Sequence, residues 1–245
     1  MATLAVPNKP EALESQELLT RVQTDRSCRQ TVLIYYTSAV FWLLLGSVLA
    51  ILASLKMHIP GFLADWEWLT FGRVRPAHLN SMIYGWAVMA AIGTLLWLQA
   101  RIGRGRLPLP LLLPVSGLVW NVGVAYGMIA ILIGYSSSTE WLEFPVPVLG
   151  FFGFCLVLII YATLVMMMRR KVHHTYVSQW YIYGGVLWFP FLYVSALILT
   201  QAPHINGTVR AIANWWFAHN VLGLWLTPIG LASAYYFIPK VTGRP

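Results

Sequence analysis

Charge is what this sequence has least of. Only 8 of its 245 residues are acidic, and 10% in all are charged, against roughly 25% in a soluble domain. That scarcity excludes an ordinary water-soluble enzyme, because a chain of this length that is 58% hydrophobic could not hide so much apolar surface. Two cysteines, Cys28 and Cys155, are too few for a disulfide framework. One precedes the first apolar run and the other lies inside a later one, so no bridge between them is expected. The ten-residue alternation of an outer-membrane barrel is missing too. No cleavable leader is expected either, because the first thirty residues are polar and the first apolar run is long enough to span. The net charge of +8 therefore reads as loop charge that sets orientation, not as a nucleic-acid surface.

Six apolar runs are present, each close to the roughly 20 residues that cross a hydrocarbon core. They cover about 31–55, 77–100, 111–134, 146–168, 178–200 and 214–238. The breaks are Pro60-Gly61, Gly103-Arg104-Gly105-Arg106, Ser136-Ser137-Ser138, Arg169-Arg170-Lys171 and Pro203 to Gly207. The expected fold is an all-α integral membrane protein of about six transmembrane helices over residues 31–245. A polar arm over 1–30 precedes it, in which Ser15 to Arg29 could form a short surface helix. Twelve Trp, twelve Tyr and eleven Phe suit aromatic belts at two interfaces of a lipid bilayer. Twelve of the 16 Lys and Arg fall in the arm, the loops after spans two and four, and the tail. The positive-inside rule puts those segments, and both termini, in the cytoplasm.

That orientation places two histidines near the outer face, His78 early in span two and His219 early in span six. An ionisable residue in a membrane span is costly and is a functional-site hypothesis by default. The bland alternative for His78 is a ring solvated by headgroups. Arg73 and Arg75 just before it can bind anionic groups, or simply contact lipid. An imidazole for iron with cations for propionates is what a haem requires. His219 lies deeper, one turn after Trp215, and imidazole suits copper, iron or zinc. Alone it makes no metal site. Glu140 and Glu143 share the outer side; either is a plain loop carboxylate, a proton relay or a ligand for a hard cation such as calcium. His173 and His174 read as a solvated cytoplasmic pair, while His58 and His204 fall in outer loops without a nameable partner. Gly123 and Gly127 form a Gly-xxx-Gly pair for close helix packing, and mid-membrane Asn121 needs a partner.

Several of these stretches together resemble one family. Phe71-Gly-Arg-Val-Arg-Pro-Ala-His78-Leu-Asn80 resembles the second-helix signature of catalytic subunit I of cbb3-type (C-family) haem–copper cytochrome c oxidases. Glu143-Phe-Pro145 resembles its Glu-Trp-Pro loop. Asn214-Trp-Trp-Phe-Ala-His219-Asn220-Val-Leu-Gly223 resembles its Trp-Trp-Tyr-Gly-His-Asn-Ala-Val-Gly helix, and Tyr235-Tyr-Phe-Ile-Pro-Lys240 the Tyr-Tyr-Phe-Val-Pro-Lys that closes it. Val172 to Trp180 resembles the opening of the preceding helix. The resemblance implies that His78 is an axial ligand of low-spin haem b, that Arg73 or Arg75 holds propionates, and that His219 is one of three histidines on copper B facing a high-spin haem. It implies that Glu143 lies near a calcium. It also implies a bacterial inner membrane, membrane-anchored cytochrome c subunits as partners, and cytochrome c as electron donor for oxygen reduction and proton pumping in aerobic respiration.

The family's subunit resembles a twelve-helix bundle, about twice this chain. The expectation is the N-terminal half of a split or truncated subunit whose missing C-terminal half carries the opposite haem ligand and the other copper histidines. The alternatives are a nitric oxide reductase-like subunit, which uses non-haem iron, and a non-catalytic membrane subunit derived from the family.

Overall fold

The apolar runs become six helices because a backbone in lipid must satisfy its own hydrogen bonds. The computed structural model describes residues 9–137, 139–205 and 207–243. Of the expected landmarks, residues 1–8 of the arm, Ser138, Asn206, Arg244 and Pro245 lie outside the described residues. The helices are α1 (Lys9–His58), α2 (Phe71–Gly103), α3 (Leu112–Leu132), α4 (Val148–Met168), α5 (Val177–Gln201) and α6 (Gly207–Thr242). All six are long and apolar enough to cross a membrane. No strand occurs among the described residues.

Successive helices run in opposite directions, so the bundle has two ends. One end gathers Arg101, Arg104, Arg106, Arg169, Arg170, Lys171 and Lys240; the other carries His58, His78 and His204, with His219 in the adjoining half of α6. We call them the basic end and the histidine end. α1 packs along α2, α3 along α4, and α5 along α6, while the Thr227–Thr242 half of α6 meets the Val88–Gly103 half of α2.

Three boundaries differ from the hydropathy reading. α1 has 50 residues, about 75 Å at 1.5 Å per residue, so residues 9–30 continue the first span as one helix. They are also tied down. Asp25 accepts hydrogen bonds from Trp97 Nε1 (3.1 Å) and Arg101 (2.7 Å), and Ser27 Oγ accepts from the Leu107 amide at 3.0 Å. α2 begins at Phe71, because the Thr70 carbonyl accepts from the amides of Arg73 (3.0 Å) and Val74 (2.9 Å). Arg73, Arg75 and Pro76 are therefore helical. α6 begins seven residues before Asn214, at Gly207.

Two interruptions carry no compositional mark. Ser81–Ala87 in α2 and Val221–Leu226 in α6 are π-helical. The Val88 amide bonds the Ile83 carbonyl, and the Thr227 amide bonds that of Leu222, a spacing of five residues. Such segments are rare and often mark functional sites. Each begins within three residues of a candidate ligand, His78 or His219.

The core runs the length of the bundle, with contributions from all six helices. The Trp120 and Phe152 rings stack with centroids 4.0 Å apart, and Trp120 Nε1 donates to the Tyr84 carbonyl inside the α2 π-segment at 2.9 Å. Gly123 packs against Phe151, and Gly127 against Phe144. Asn121 finds its partners across the α1 interface: its Oδ1 accepts from Trp42 Nε1 (2.7 Å), and its amide donates to Ser38 Oγ (2.8 Å). Cys28 and Cys155 are both buried free thiols.

Candidate functional site

His78 is half-buried on the side of α2 that faces α1. Its Nδ1 lies 2.9 Å from the carbonyl oxygen of Gly46. A carbonyl only accepts, so Nδ1 carries a hydrogen, and in the neutral ring Nε2 then carries the lone pair. Nε2 makes no hydrogen bond among the described residues. This is the arrangement by which a backbone carbonyl orients a metal-ligating imidazole. Gly46 leaves room for it: a Cβ there would stand 2.7 Å from Ser81 Oγ and 2.8 Å from Met82 Sδ, so both side chains would have to shift.

Immediately before the α2 π-segment, Asn80 is fully buried. Its amide donates to Glu143 Oε2 at 2.7 Å and to the Pro76 carbonyl at 2.9 Å, while its Oδ1 has no partner among the described residues. Glu143 lies in the loop between α3 and α4 and is 4% exposed. Burial pushes its carboxyl up to about 7; the Asn80 hydrogen bond works against that, and the Glu140 charge adds to it. The same loop is held to α2 again by Tyr84, whose hydroxyl donates to the Trp141 carbonyl at 2.5 Å.

The two arginines turn to this loop and to α3. Arg73 donates to the Leu132 carbonyl at 3.1 Å, placing a cation at the negative end of α3. Its guanidinium covers Gly134, whose φ of +89° suits glycine and whose missing Cβ leaves room for Arg73 Nη2. Arg75 pairs with Glu140 at 2.8 Å. Glu140 is in turn fastened to α6: its amide donates to Asn214 Oδ1 (3.2 Å), and Asn214 Nδ2 donates to its carbonyl (2.7 Å). The loop thus bridges the helix of His78 and the helix of His219.

His219 is exposed on α6, its ring lying over Gly223. Trp215 and Leu222 are exposed nearby. His173 and His174 are exposed, the latter with its ring centroid 4.4 Å from that of Tyr176. His58 and His204 are exposed as well, with His58 Nδ1 3.3 Å from the Ser54 carbonyl. Among the described residues no three His, Cys, Asp or Glu side chains come together as a metal site.

Tested against the groups the sequence suggested, the residues divide. His78 fits a single axial ligand to iron, with its tautomer fixed and Nε2 open. Glu143 and the unpartnered Asn80 Oδ1 are oxygen donors of the kind calcium takes, but two side chains are well short of its six to eight ligands. His219 supplies one nitrogen, and among the described residues no second ligand stands with it for copper. Sequence reasoning missed Gly46, Asn80, Asn214 and both π-segments. The two asparagines stood inside the quoted motifs, at the same end of an apolar helix as a histidine, but nothing in the motifs marked what they bond.

Residues 30–245 match the family described as Cytochrome C and Quinol oxidase polypeptide I. Curated relatives agree. The Cbb3-type cytochrome c oxidase subunit CcoN1 of Stutzerimonas stutzeri is 28% identical over 216 residues, which is 84% of this chain and 45% of that protein. A cytochrome c oxidase subunit 1 homolog of Azorhizobium caulinodans is 27% identical over 223 residues, 84% of this chain and 39% of its own. A bacteroid homolog from Bradyrhizobium diazoefficiens is 28% identical over 224 residues, again 84% and 39%. The chain spans less than half the length of these relatives.

Proposed function

Because the chain belongs to the cytochrome c and quinol oxidase polypeptide I family, we propose that this multi-pass membrane protein serves as the N-terminal half of a cytochrome c oxidase catalytic subunit. The observation that carries this is His78: a half-buried imidazole on a span-length helix, held by the Gly46 carbonyl with Nε2 open. In this reading His78 is one axial ligand of a low-spin haem b and His219 one ligand of copper B. Arg73 and Arg75 would hold propionates, and Glu143 with Asn80 would supply two oxygens of a calcium site whose other ligands come from elsewhere. Bound haem and copper would supply electron transfer to oxygen; the chain's own residues orient the ligands and exclude water.

The opposite haem ligand and the remaining copper ligands come from sequence beyond these 245 residues, on a companion polypeptide or a continuation. The exposed face of α6 with Trp215, His219 and Leu222 supports that, since an ionisable side chain in a membrane span is costly unless it is paired or buried against protein. The basic end faces the cytoplasm of a bacterial inner membrane by the charge rule, and cytochrome c subunits deliver electrons at the histidine end.

The test is a reduced-minus-oxidised spectrum of the chain purified with the remaining oxidase sequence. A low-spin haem b signal is expected, lost in His78→Ala and kept in His219→Ala, which instead loses copper. Absence of any haem signal with the complete partner set present overturns the assignment.

A further inference from the structure

We propose that the cavity at the basic end binds the phosphate headgroup of an anionic phospholipid. It encloses about 900 Å³ between the first part of α1, the end of α2, the 171–178 segment and the end of α6. Five cations line it: Arg21, Arg101, Arg104, Lys171 and Lys240. Only one carboxylate does, Glu17, which is shared by Arg21 (2.6 Å) and Arg104 (3.3 Å). Asp25, just beyond, occupies Arg101 at 2.7 Å. Lys171 and Lys240 make no ion pair among the described residues, and the Lys240 ammonium rests 5.9 Å above the Tyr236 ring. The site therefore keeps positive charge in excess, with donors of the kind that hold phosphate.

The walls decide what carries the phosphate. A free inorganic anion needs only polar donors, whereas this cavity is also faced by Ile102, Val177, Tyr235 and Pro239. Val177 and Tyr235 are exposed on the bundle surface, where acyl chains would lie. Around it the Trp97 and Phe237 rings stack at 5.9 Å and the Tyr181 and Tyr235 rings at 5.8 Å, an aromatic belt at headgroup depth. A second cavity of about 410 Å³ adjoins it, sharing Thr20, Thr24, Arg104 and Lys171. There Gln99 is buried with neither amide atom hydrogen-bonded among the described residues, a donor and acceptor fit for headgroup hydroxyl or ester oxygens. Basic pockets between membrane helices on the cytoplasmic side are a recurrent form of anionic-lipid recognition. The inference needs only the membrane bundle and is independent of the redox assignment.

The full chain, purified and returned to nanodiscs of phosphatidylcholine with or without phosphatidylglycerol, tests it by native mass spectrometry of retained lipid. Wild type should keep phosphatidylglycerol selectively. Lys171→Gln with Lys240→Gln should weaken retention roughly thirtyfold, and Lys171→Arg with Lys240→Arg should preserve it. Arg26→Gln with Arg29→Gln removes the same charge at the same end but outside the cavity, and should change retention little. Equal losses in the two glutamine pairs would show generic surface attraction and overturn the site. Displacement of the lipid by millimolar inorganic phosphate would overturn the lipid as its occupant.

Discussion

α2 and α6 are the same device at two stages of enclosure. Both exceed thirty residues, both carry a histidine toward the same end, and both switch to π-helix immediately after it. Yet 61% of the most apolar stretch of α2 is buried within the chain, against 22% for α6. His78 has a carbonyl partner and a buried Asn–Glu pair two residues on; His219 faces outward. The difference teaches that a candidate ligand and its supporting shell are separate achievements of a sequence. α2 meets its shell within this chain, from α1, α3 and the 133–147 loop. α6 is joined to the site through Asn214 and the Glu140 backbone.

The sharpest way to break the comparison is to remove matching aromatics. Trp120→Ala strips a fully buried ring from beside α2 and should cost about 3–5 kcal/mol. Trp215→Ala on α6, 66% exposed, should change the isolated chain by no more than about 0.5 kcal/mol. Unfolding by steric trapping in bicelles compares them, and equal costs would erase the distinction.

Next in size is the pH dependence of the α2 shell. The Glu143 carboxyl is raised from 4.5 to about 7, so between those values the folded protein holds a proton that the unfolded chain has released. Stability should therefore fall as pH rises from about 4.5 to about 7, by about 3 kcal/mol in the presence of a chelator. Glu143→Gln should flatten that slope, as followed by melting temperature across pH. A slope unchanged in the variant would assign it to another group.

Gly46→Val should cost about 1–3 kcal/mol by overpacking against Ser81 and Met82, and should turn the His78 ring from its carbonyl. Histidine nitrogen shifts in NMR would show the tautomer mixing, while those of His219 stay put. The smallest effect belongs to Arg75→Gln. Its ion pair with Glu140 is half-exposed, worth less than about 1 kcal/mol and weaker in salt. A double-mutant cycle with Glu140→Gln at two ionic strengths measures it.

Much of this was legible in one dimension. Hydropathy gave the spans and charge asymmetry the two ends, and the order of spans alone placed His78 and His219 toward one of them. The continuity of residues 9–30 with α1 was legible too, though easily passed over: no Pro or Gly stands between Pro10 and Gly46, so nothing stops the helix. The role of Arg73 was not. Its partner is a helix-terminal carbonyl, which any sequence supplies, and its fit depends on the left-handed turn at Gly134. The clamp from Glu140 to Asn214 uses a backbone 74 residues away, beyond any local pattern. The π-segments were invisible because Ser-Met-Ile-Tyr-Gly-Trp-Ala has no composition that separates one hydrogen-bond spacing from another.

Those two segments also alter the phase of the helices that contain them. A π-turn accommodates one residue more than an α-turn, so residues on either side of it belong to different helical wheels, offset by roughly 100°. Deleting a single residue from 81–87 would merge the wheels and rotate His78 by that angle against Trp97, which stays fixed by Asp25 and Phe237. The same holds for His219 against Tyr235. Each helix can thus be retimed at its histidine half while its other half keeps its packing, so the aim of both imidazoles is set by residue count as much as by residue type.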